Sequence, residues 1–571
     1  MPGPIRAVIF DLDDTLYDCT GTLLDASRRR AARVLVDAGL PMSEREALEL
    51  QRALGEEHGP HFLVFDEIAR RYDLEEEVIN QAYRAYNSDE VDHIEPFSDV
   101  KPTLRFLRNQ GIACALLTSG VHRRQAVKIE KLGLADEFDQ IIINDVERGE
   151  LMGECMRYVL EKHRLRPEEA LVVGDRPPEE IHAGKDLGML TAQMLHGRFS
   201  AFEARDDSER PHYRITRISQ VPTLVRLLNM NKTPESLRIV AIGGGTGLPI
   251  VLEGCKTYCR APTGIVTVTD SGRSSGRLRD ELGILPPGDA RNCLVALSEP
   301  GESERMLNRL FQYRFQQGSF EGMSLGNLVI AAMTDLEDSF REGIGSLSRL
   351  LNIRGKVLPP TTTDCHICAE LEDGTHRQGE VNVRGLNKPP IRRLYLEPED
   401  PPACEEAVQE IMDADIVLIG PGSLYTSVIA NVLVPGIRQA LAETNATTVY
   451  VVNIVTQPGQ TDGYGAADHV RAVLQHAGED AVDYALINVQ FPGDGMLERY
   501  RSEGADTVAP EPALHELGVE VVEASLVEDL DQKRVLWEKQ DLLRHHPDKL
   551  ADAVCRIYAG LPPSMNGADP A

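Results

Sequence analysis

The sequence predicts an α/β protein of two doubly wound, Rossmann-like domains, the first with an inserted helical cap. Short apolar segments alternate with helix-like segments along most of the 571 residues, which favours parallel sheets covered by helices. Several apolar segments end directly in Asp, Thr or Gly, as strands do at the carboxyl edge of such a sheet. A polar stretch at 229–236 has no apolar period and predicts a domain boundary.

Composition sets limits on the function. The residues are 42% hydrophobic and 26% charged, which is typical of globular protein. The formal net charge of −30 argues against nonspecific binding to nucleic acid or to anionic membranes, because both require a basic surface. Ten scattered cysteines, no signal-peptide pattern and no apolar run of about 18 residues favour a reduced, cytoplasmic protein.

The first chemical motif follows a predicted strand at 7–10. Asp11 and Asp13 lie two positions apart at its carboxyl end, so both carboxylates can face one loop. Asp11 is placed to attack a phosphoryl group, and Asp13 to carry the leaving-group proton. A Mg²⁺ ion would let this anionic pair approach an anionic substrate. Taken alone, the motif also fits a solvated acidic turn.

The elements that follow complete a parallel sheet. Helix-like segments with charged faces come first, at 26–38, 44–57 and 75–85. Apolar segments are then predicted as strands, at 113–117, 140–143 and 170–173. Thr118 ends the first of these strands and Asp175 follows the last, so Asp, Thr and Asp recur at one sheet edge. A final strand and helix are predicted at 213–218 and 221–228.

With these motifs, residues 1–232 resemble a haloacid-dehalogenase-type (HAD) hydrolase whose helical cap covers about residues 18–97. The resemblance implies that Asp11 is the nucleophile, Asp13 the acid/base and Thr118 the phosphate-binding hydroxyl. It also implies a Mg²⁺ ion held by Asp11, Asp13 and Asp175.

The chain departs from this family at two positions. Glu150 or Met152 stands where the family has a lysine before a helix, and Arg148 and Lys128 are the alternative cations. Glu180 replaces the usual second aspartate of the last motif. Loss of a phosphate-binding cation lowers the rate, since a charged hydrogen bond contributes about 1.5–3 kcal/mol. A weakened phosphatase and a module retained for docking or regulation therefore both stay open.

The second domain, residues 236–560, carries glycine loops after apolar segments at 239–242 and 415–419. Backbone amides in such loops, together with the helix N-terminus that follows, can hold an anion. Leu248 occupies the third glycine position of the dinucleotide fingerprint, so a plain NAD site is not favoured. Further strands are predicted at 265–268 and 449–454. A turn at 286–292 is predicted to lead into a helix at 293–297, Ser324 to cap another helix, and 561–571 to form a flexible tail.

Several long strings in this domain occur in a characteristic order: IGGGTGL, VTVTDSGRSSGRLRDELGILPPGDARNCL, SLGNL, IGPGSLYTS and LRHHPDKLA. On these strings, residues 237–559 resemble the CofD/YvcK family, which includes 2-phospho-L-lactate transferase and gluconeogenesis factor. The gluconeogenesis-factor branch fits better, because it carries the SSGRLR and PPGD strings. That branch is similar to proteins that bind UDP-sugars and influence carbon metabolism, cell shape and wall synthesis.

The chain departs from that branch near the first glycine loop. Ser271 and Arg273 stand where the branch has Asp and Gly, and Met323 replaces a His. The lost carboxylate and imidazole argue against metal-dependent transfer, and the added guanidinium favours anion binding.

We expect a nucleotide sugar such as UDP-N-acetylglucosamine between the two glycine loops. Arginines would neutralise its diphosphate, since guanidinium binds phosphate in two-point contacts, and Asn292 and Asn327 would read sugar or base edges. Asp270 and Asp289 are alternatively salt-bridge partners of the arginines. The resemblance places Tyr500 and Arg544 over the ligand. The full expected set is Gly243, Gly244, Gly245, Thr246, Gly247, Asp270, Arg273, Ser274, Ser275, Arg277, Asp289, Arg291, Asn292, Asn327, Gly420, Gly422, Ser423, Tyr500 and Arg544.

The sequence thus predicts a cytoplasmic protein with a nucleotide-sugar-binding regulatory domain and a Mg²⁺-dependent HAD-type phosphatase domain that acts on a small phosphorylated metabolite. One alternative is phosphoacyl transfer by the C-terminal domain, as in 2-phospho-L-lactate transferase. Another is a non-catalytic regulator of carbon metabolism or cell-wall synthesis. Neither a nucleic acid nor a membrane is expected as a partner, and homo-oligomerisation stays open.

Overall fold

A computed structural model describes residues 3–58, 63–88, 91, 94–145, 151–299, 302–491, 493–527 and 543–562. Residues 563–571, most of the predicted tail, lie outside this description. The chain divides into two compact units between Asn231 and Lys232. Among the described helices, none combines the length and the apolar character needed to cross a membrane.

The N-terminal domain is built on a parallel sheet of short buried strands: β1 (Ala7–Phe10), β2 (Ala113–Gly120), β3 (Gln140–Asp145), β4 (Ala170–Gly174), β5 (Leu190–Met194) and β6 (Tyr213–Ile215). The strand order is β3-β2-β1-β4-β5-β6, and every pair is parallel. The first strand therefore pairs with both β2 and β4, which brings the ends of these strands to one edge.

Helices of this domain form a cap and a cover for the sheet. The cap comprises α1 (Asp25–Asp37), α2 (Glu44–His58), α3 (Val64–Tyr72) and α4 (Glu76–Tyr86), inserted between β1 and the next helix. The others are α5 (Val100–Asn109), α6 (His122–Lys131), α7 (Met152–His163), α8 (His182–Asp186) and α9 (Val221–Asn229). The cap has its own apolar core around Leu35 and Phe65, whereas Ile9 and Val172 belong to the core beneath the sheet.

The C-terminal domain contains two sheets. Its strands are β7 (Ile239–Gly243), β8 (Thr263–Val266), β9 (Lys356–Leu358), β10 (His366–Leu371), β11 (His376–Gln378), β12 (Ile391–Glu397), β13 (Ile416–Ile419), β14 (Thr447–Val451), β15 (Tyr484–Asn488) and β16 (Glu520–Ala524). The larger sheet is parallel, in the order β16-β15-β14-β13-β7-β8-β9, and β10, β11 and β12 form a small antiparallel sheet. The predicted α/β class with doubly wound domains and a helical cap is confirmed.

Helices cover the larger sheet and surround its carboxyl edge. They are α10 (Gly247–Cys255), α11 (Arg273–Leu282), α12 (Gly288–Leu297), α13 (Glu302–Gln312), α14 (Leu325–Leu336), α15 (Phe340–Leu350), α16 (Glu380–Val383), α17 (Glu405–Met412), α18 (Ala430–Val432), α19 (Pro435–Glu443), α20 (Ala466–Ala477), α21 (Asp494–Ser502) and α22 (Pro547–Tyr558). The helix α16 lies between β11 and β12, two strands of the small sheet.

Several local predictions for this domain were wrong. The helix predicted at 293–297 begins at Gly288, because Ala290, in the predicted turn, packs in the core together with Cys293. The strands predicted at 265–268 and 449–454 end earlier, since Val268 and Ile454 are buried in loops beyond the paired residues. Ser324 is the N-cap residue of α14, as predicted, but its hydroxyl donates to the carbonyl of Phe311 at 3.1 Å and forms no capping hydrogen bond.

Candidate functional sites

The carboxyl edge of the N-terminal sheet gathers the predicted catalytic residues. Asp11 and Asp13 follow β1, Thr118 lies near the end of β2, and Asp175 follows β4. All four are buried. Since β1 pairs with β2 and with β4, the structure brings these residues to one edge, as the parallel sheet requires.

The carboxylate of Asp13 is fixed by several donors. The ammonium of Lys128 lies 2.7 Å and 2.9 Å from its oxygens, and the hydroxyl of Tyr17 donates to it at 2.5 Å. The amide nitrogen of Gln125 donates at 3.2 Å. Burial alone would raise the pKa of Asp13, but the charge and hydrogen bonds of Lys128 hold it well below its usual range.

The cation missing from the predicted position is therefore supplied from another helix. Lys128 lies on α6, and its side chain is only 5% exposed. Met152 is the first residue of α7. Arg148 and Glu150 lie outside the described residues. Of the alternatives that the sequence left open, the structure places Lys128 in the site.

Three more buried carboxylates, those of Asp11, Asp175 and Glu180, lie in the same site as Asp13 and Lys128. Burial raises the pKa of Asp11 to about 7, with a further contribution from Asp13. Burial also raises the pKa of Asp175 and of Glu180, and each is raised further by the charge of Asp11. Arg176 carries the nearest positive charge, 3.9 Å from Asp175. Among the described residues, the site thus holds more carboxylates than cations.

These carboxylates fit a divalent cation. One oxygen of Asp175 and one of Glu180 are buried without any hydrogen-bond partner among the described residues. Buried carboxylate oxygens of this kind are unfavourable unless a cation or donor binds them. Mg²⁺ prefers hard oxygen ligands. Glu180, which replaces the usual aspartate of the last motif, therefore joins Asp11 and Asp175 as a candidate ligand.

In the C-terminal domain, a cavity of about 1340 Å³ lies at the carboxyl edge of the larger sheet. Many of the predicted ligand residues line it: Gly245, Thr246, Gly247, Asp270, Ser274, Ser275, Arg277, Asp289, Arg291, Asn292, Asn327, Gly422, Ser423 and Arg544. Other lining residues were missed: Arg314, Glu380, Arg384, Ser427, Asn453 and Gln457. The first glycine loop and the segment near 420 thus face one space.

Four other predicted residues, Gly243, Gly244, Gly420 and Tyr500, do not line this cavity. Gly243 ends the buried strand β7, Gly244 is packed beneath the loop, and the amide of Gly420 donates to the carbonyl of Ile242 at 2.8 Å. The hydroxyl of Tyr500 accepts a hydrogen bond from the amide of Leu543 at 2.5 Å instead of facing the cavity. The side chain of Arg273 lies outside the described residues.

The two glycine loops pack against each other. A Cβ atom at Gly247 would overlap the carbonyl of Pro421, and a Cβ at Gly422 would lie 3.3 Å from the carbonyl of Gly244. Only residues without a side chain allow this approach. The glycine pattern therefore has a packing role in addition to any ligand contact.

Asp289 accepts a hydrogen bond from one of the loop amides that were predicted to bind phosphate. The amide of Gly245 donates to Oδ2 of Asp289 at 2.7 Å. Burial raises the pKa of Asp289 to about 6, and the neighbouring charge of Asp270 contributes. The aspartate binds the loop backbone and forms no salt bridge with Arg291 among the described contacts.

Two further carboxylates, those of Asp270 and Glu380, line the cavity. Oε2 of Glu380 accepts a hydrogen bond from the amide of Ser271 at 3.3 Å. Burial raises the pKa of Glu380 to about 7, and the contact with Asp270 raises it further. Arg384 pairs with Glu380 at 3.1 Å. No sequence motif indicated Glu380, because it comes from the small antiparallel sheet region.

Arg291 is a buried cation that faces the cavity. Its guanidinium donates to Asn327 Oδ1 at 3.0 Å and to Asn292 Oδ1 at 2.8 Å. In the described part of the chain it forms no ion pair, and its Nε has no partner. Burial lowers its pKa to about 10. Arg277, by contrast, is exposed and pairs with Glu281 at 2.7 Å.

Comparison with known proteins identifies both parts of the chain. Residues 239–527 match the family model described as 2-phospho-L-lactate transferase CofD, and residues 5–188 match the model described as haloacid dehalogenase-like hydrolase. The gluconeogenesis factor of Halalkalibacterium halodurans is 44% identical over 318 residues, which cover 55% of this chain and 95% of that protein. The gluconeogenesis factor of Bacillus subtilis is 42% identical over 316 residues, covering 55% and 96%.

A crystal structure of a UPF0052 family protein from Bacillus halodurans has the same fold. It is 43% identical, and the alignment has a TM-score of 0.52 and covers 56% of this chain and 99% of that one. The matches agree with the strings that indicated the family and with the parallel sheet of the C-terminal domain. The chain therefore belongs to the CofD family, with a gluconeogenesis-factor domain at its C-terminal end and a HAD-like hydrolase domain at its N-terminal end.

Proposed function

We propose that the C-terminal domain binds a nucleotide sugar, such as UDP-N-acetylglucosamine, in the cavity. Arg291 is the observation that carries this proposal. A buried guanidinium without a carboxylate partner is costly, and an anionic ligand offsets that cost. The diphosphate of a nucleotide sugar supplies such an anion.

The loops around Arg291 support the same ligand. The helix α10 begins at Gly247, and Gly245, Thr246 and Gly247 line the cavity, so the N-terminus of this helix faces it. Across the cavity, Asp270 and Glu380 offer acceptors for hydroxyl groups of a sugar or ribose. Cationic and acceptor groups in one cavity match a ligand that carries both phosphate and hydroxyl groups.

Calorimetric titration tests this proposal. We expect the full-length protein to bind UDP-N-acetylglucosamine more tightly than NAD. Absence of any UDP-sugar binding would contradict the proposal. Binding without turnover would favour a regulatory role over a catalytic one.

Phosphoacyl transfer is the second candidate function of this domain. The cavity exceeds the roughly 300–1,000 Å³ of most single-ligand sites, so there is room for a donor and an acceptor. Titration with GDP-linked phospholactate, followed by product analysis, distinguishes the two candidates. Turnover of that compound would favour transfer over nucleotide-sugar binding.

We also propose that the N-terminal domain is a Mg²⁺-dependent phosphohydrolase for small phosphorylated metabolites. The buried carboxylate oxygens of Asp175 and Glu180 that accept no hydrogen bond carry this proposal. When bound, Mg²⁺ would neutralise the carboxylates and the substrate phosphate. Asp11 would attack the phosphorus atom and displace the leaving alkoxide, and Thr118 would donate to a phosphate oxygen. Water would then hydrolyse the aspartyl phosphate, and Asp13, held ionised by Lys128, would accept the proton of that water.

Turnover of p-nitrophenyl phosphate tests the hydrolase. We expect Mg²⁺-dependent release of p-nitrophenol by the wild type and its loss in Asp11→Asn, because the nucleophile is removed. Chelation of Mg²⁺ with EDTA should abolish the wild-type rate. Equal rates in the wild type and Asp11→Asn would mean that the domain is catalytically inactive.

A further inference from the structure

Asp289 holds a negative charge at the wall of the cavity in the C-terminal domain. Its Oδ2 accepts a hydrogen bond from the amide of Gly245 at 2.7 Å, on the loop that precedes α10. A Cβ atom at Gly244 would lie 2.6 Å from the same oxygen, so the carboxylate packs directly on this loop. Asp289 and Gly245 both line the cavity, and both are partly exposed. The loop therefore carries an anion of its own.

The two amides that follow Gly245 are placed for a ligand. Thr246 is the N-cap of α10 and Gly247 its first residue, so neither amide has an acceptor within the helix. The side chain of Thr246 forms no capping hydrogen bond. Both residues line the cavity, and Thr246 is exposed. An anionic group at this helix N-terminus would accept hydrogen bonds from these amides.

A phosphate bound there lies beside the carboxylate of Asp289. Successive residues are about 3.8 Å apart, so the two anions would accept from neighbouring amides of one loop. Two negative charges at this separation repel each other, although water and salt screen part of the interaction. The charge of Asp270, which helps to raise the pKa of Asp289, adds to the negative potential. The repulsion therefore grows with the charge on the phosphate.

The ionic state of a diphosphate thus decides how well it fits this loop. Each phosphate of a nucleotide sugar is linked on both sides and carries one negative charge. The terminal phosphate of a free nucleoside diphosphate has a second ionisation near pH 6, so it carries about one further charge at pH 8. Arg291 supplies a buried positive charge in the same cavity, which attracts both forms. Only the terminal phosphate brings the additional charge into the range of Asp289.

We propose that Asp289 makes the cavity select an esterified diphosphate over a terminal one. This inference rests on the proposed nucleotide-sugar binding and adds a specificity-determining residue to it. The carboxylate admits the single charge on each phosphate of a nucleotide sugar and repels the second charge of a terminal phosphate, a form of selection by exclusion. The cavity would retain the intact nucleotide sugar and release the nucleoside diphosphate.

Calorimetry with UDP and with the β-methyl ester of UDP tests this inference in the full-length protein. The two compounds share the base, the ribose and the diphosphate, and they differ in the charge of the terminal phosphate. The titrations are made at pH 8, where Asp289 is ionised because its pKa is about 6, and without divalent cations. We expect the wild type to bind the ester about tenfold more tightly than UDP.

Asp289→Asn removes the charge and keeps an acceptor of the same size for the amide of Gly245. It should lower the preference for the ester to about threefold or less, by a gain in UDP affinity. Asp373→Asn is the matched control, since Asp373 accepts from the amide of Thr375 at 2.9 Å in an exposed turn and is not among the lining residues. It should leave the preference unchanged. Circular dichroism confirms that each variant is folded.

Asp270→Asn distinguishes Asp289 from the other carboxylates. Asp270 also lines the cavity, but its Oδ1 accepts from the amide of Gly272 at 2.7 Å and not from the loop before α10. We expect a smaller change in the preference than for Asp289→Asn. An equal change would assign the selection to the charge of the whole cavity and overturn the role of Asp289.

The other outcomes separate this inference from the proposed function. If the wild type binds UDP as tightly as the ester, the inference is wrong, and this comparison needs no variant. An unchanged preference in folded Asp289→Asn would also overturn it. Loss of affinity for both compounds in Asp289→Asn would do the same, because Asp289 would then hold the ligand directly. Failure of the wild type to bind UDP-N-acetylglucosamine would overturn the proposed function itself.

Discussion

The ammonium of Lys128 contacts both carboxylate oxygens of Asp13, at 2.7 Å and 2.9 Å, in the buried edge of the N-terminal sheet. This contact joins α6 to the loop after β1, so the site obtains its lysine from a helix other than the one that the family pattern indicates. Its removal would leave a buried carboxylate with only the uncharged donors Tyr17 and Gln125.

Lys128→Met should lower the free energy of unfolding of the N-terminal domain by about 3–5 kcal/mol, because it breaks a buried ion pair and leaves one charge. The double variant Lys128→Met/Asp13→Asn should recover much of that loss. Urea unfolding measures both. Lys162→Met, at an exposed position on α7, is the matched control and should change stability by at most about 0.5 kcal/mol. Equal effects at the two lysines would contradict the buried pair.

Glu180→Gln should stabilise the N-terminal domain in the absence of Mg²⁺. It removes a carboxylate whose charged form is disfavoured by burial and by the charges of its neighbours. Each unit by which the pKa is raised corresponds to about 1.4 kcal/mol of free energy against the charged form. The melting temperature without Mg²⁺ should therefore rise. The same variant should respond less to added MgCl₂ than the wild type. An identical Mg²⁺ response in both proteins would rule Glu180 out as a ligand.

Arg291→Met should weaken nucleotide-sugar binding by about 10- to 100-fold, since a charge-assisted contact is worth about 1.5–3 kcal/mol. Arg277→Met is the control within the same cavity. Arg277 is exposed and already paired with Glu281, so we expect a loss of about threefold or less. Calorimetry with UDP-N-acetylglucosamine measures both. A larger effect at Arg277 than at Arg291 would argue against the buried guanidinium as the anion site.

Nucleotide-sugar affinity should rise as the pH falls from 8 to 6. Glu380 has a pKa raised from 4.5 to about 7, so it gains a proton in this interval and the cavity loses a negative charge. A nucleotide sugar has no phosphate group that titrates there, and the change reports the protein. Glu380→Gln should flatten the profile above pH 7, leaving the titration of Asp289 near pH 6. An unaltered profile in Glu380→Gln would assign the dependence to another group.

The raised pKa of Glu380 also makes the stability of the folded protein depend on pH. The unfolded chain ionises Glu380 near pH 4.5, whereas the folded protein resists ionisation until about pH 7. The contribution of this residue to stability is therefore lost progressively as the pH rises from about 4.5 to 7, and it is constant above.

Gly247→Ala should destabilise the C-terminal domain by about 2–3 kcal/mol, because its methyl group would overlap the carbonyl of Pro421. Gly345→Ala is the control. Gly345 lies within α15 with open space around the added carbon, so alanine should stabilise that helix by about 0.5–1 kcal/mol. Chemical unfolding of the two variants compares them. Similar stabilities would contradict the close packing of the two loops.

The strands and their terminal motifs could be predicted from the sequence, because each depends on local pattern. Where an apolar segment ends in Asp11, Thr118 or a glycine loop, the pattern predicts a strand and also predicts that its end lies at the carboxyl edge of the sheet. The start of α12 at Gly288 could not be predicted as securely. The run Pro286-Pro287-Gly288 has the composition of a turn, and only the packing of Ala290 and Cys293 in the core decides for helix.

Residues that reach a site from a distant element had no such local pattern. Lys128 lies on a helix whose apolar period does not reveal which polar side chain turns inward to Asp13. Glu380 enters the cavity from the small antiparallel sheet region, and Asn453 from the loop after β14. Their roles depend on distances between elements far apart in the chain, which no spacing in the sequence specifies.

The order of strands in the larger sheet has a consequence for protein synthesis. The first strand of this domain, β7, lies in the middle of the sheet, and α10 after it packs on α22, where Gly254 meets Pro547 and the hydroxyl of Tyr258 donates to Asp552 at 2.7 Å. The cavity is lined from Gly245 to His545. Almost the whole domain must therefore be synthesised before the proposed nucleotide sugar would have a place to bind. Such a ligand would stabilise only the finished domain and not a shorter nascent chain.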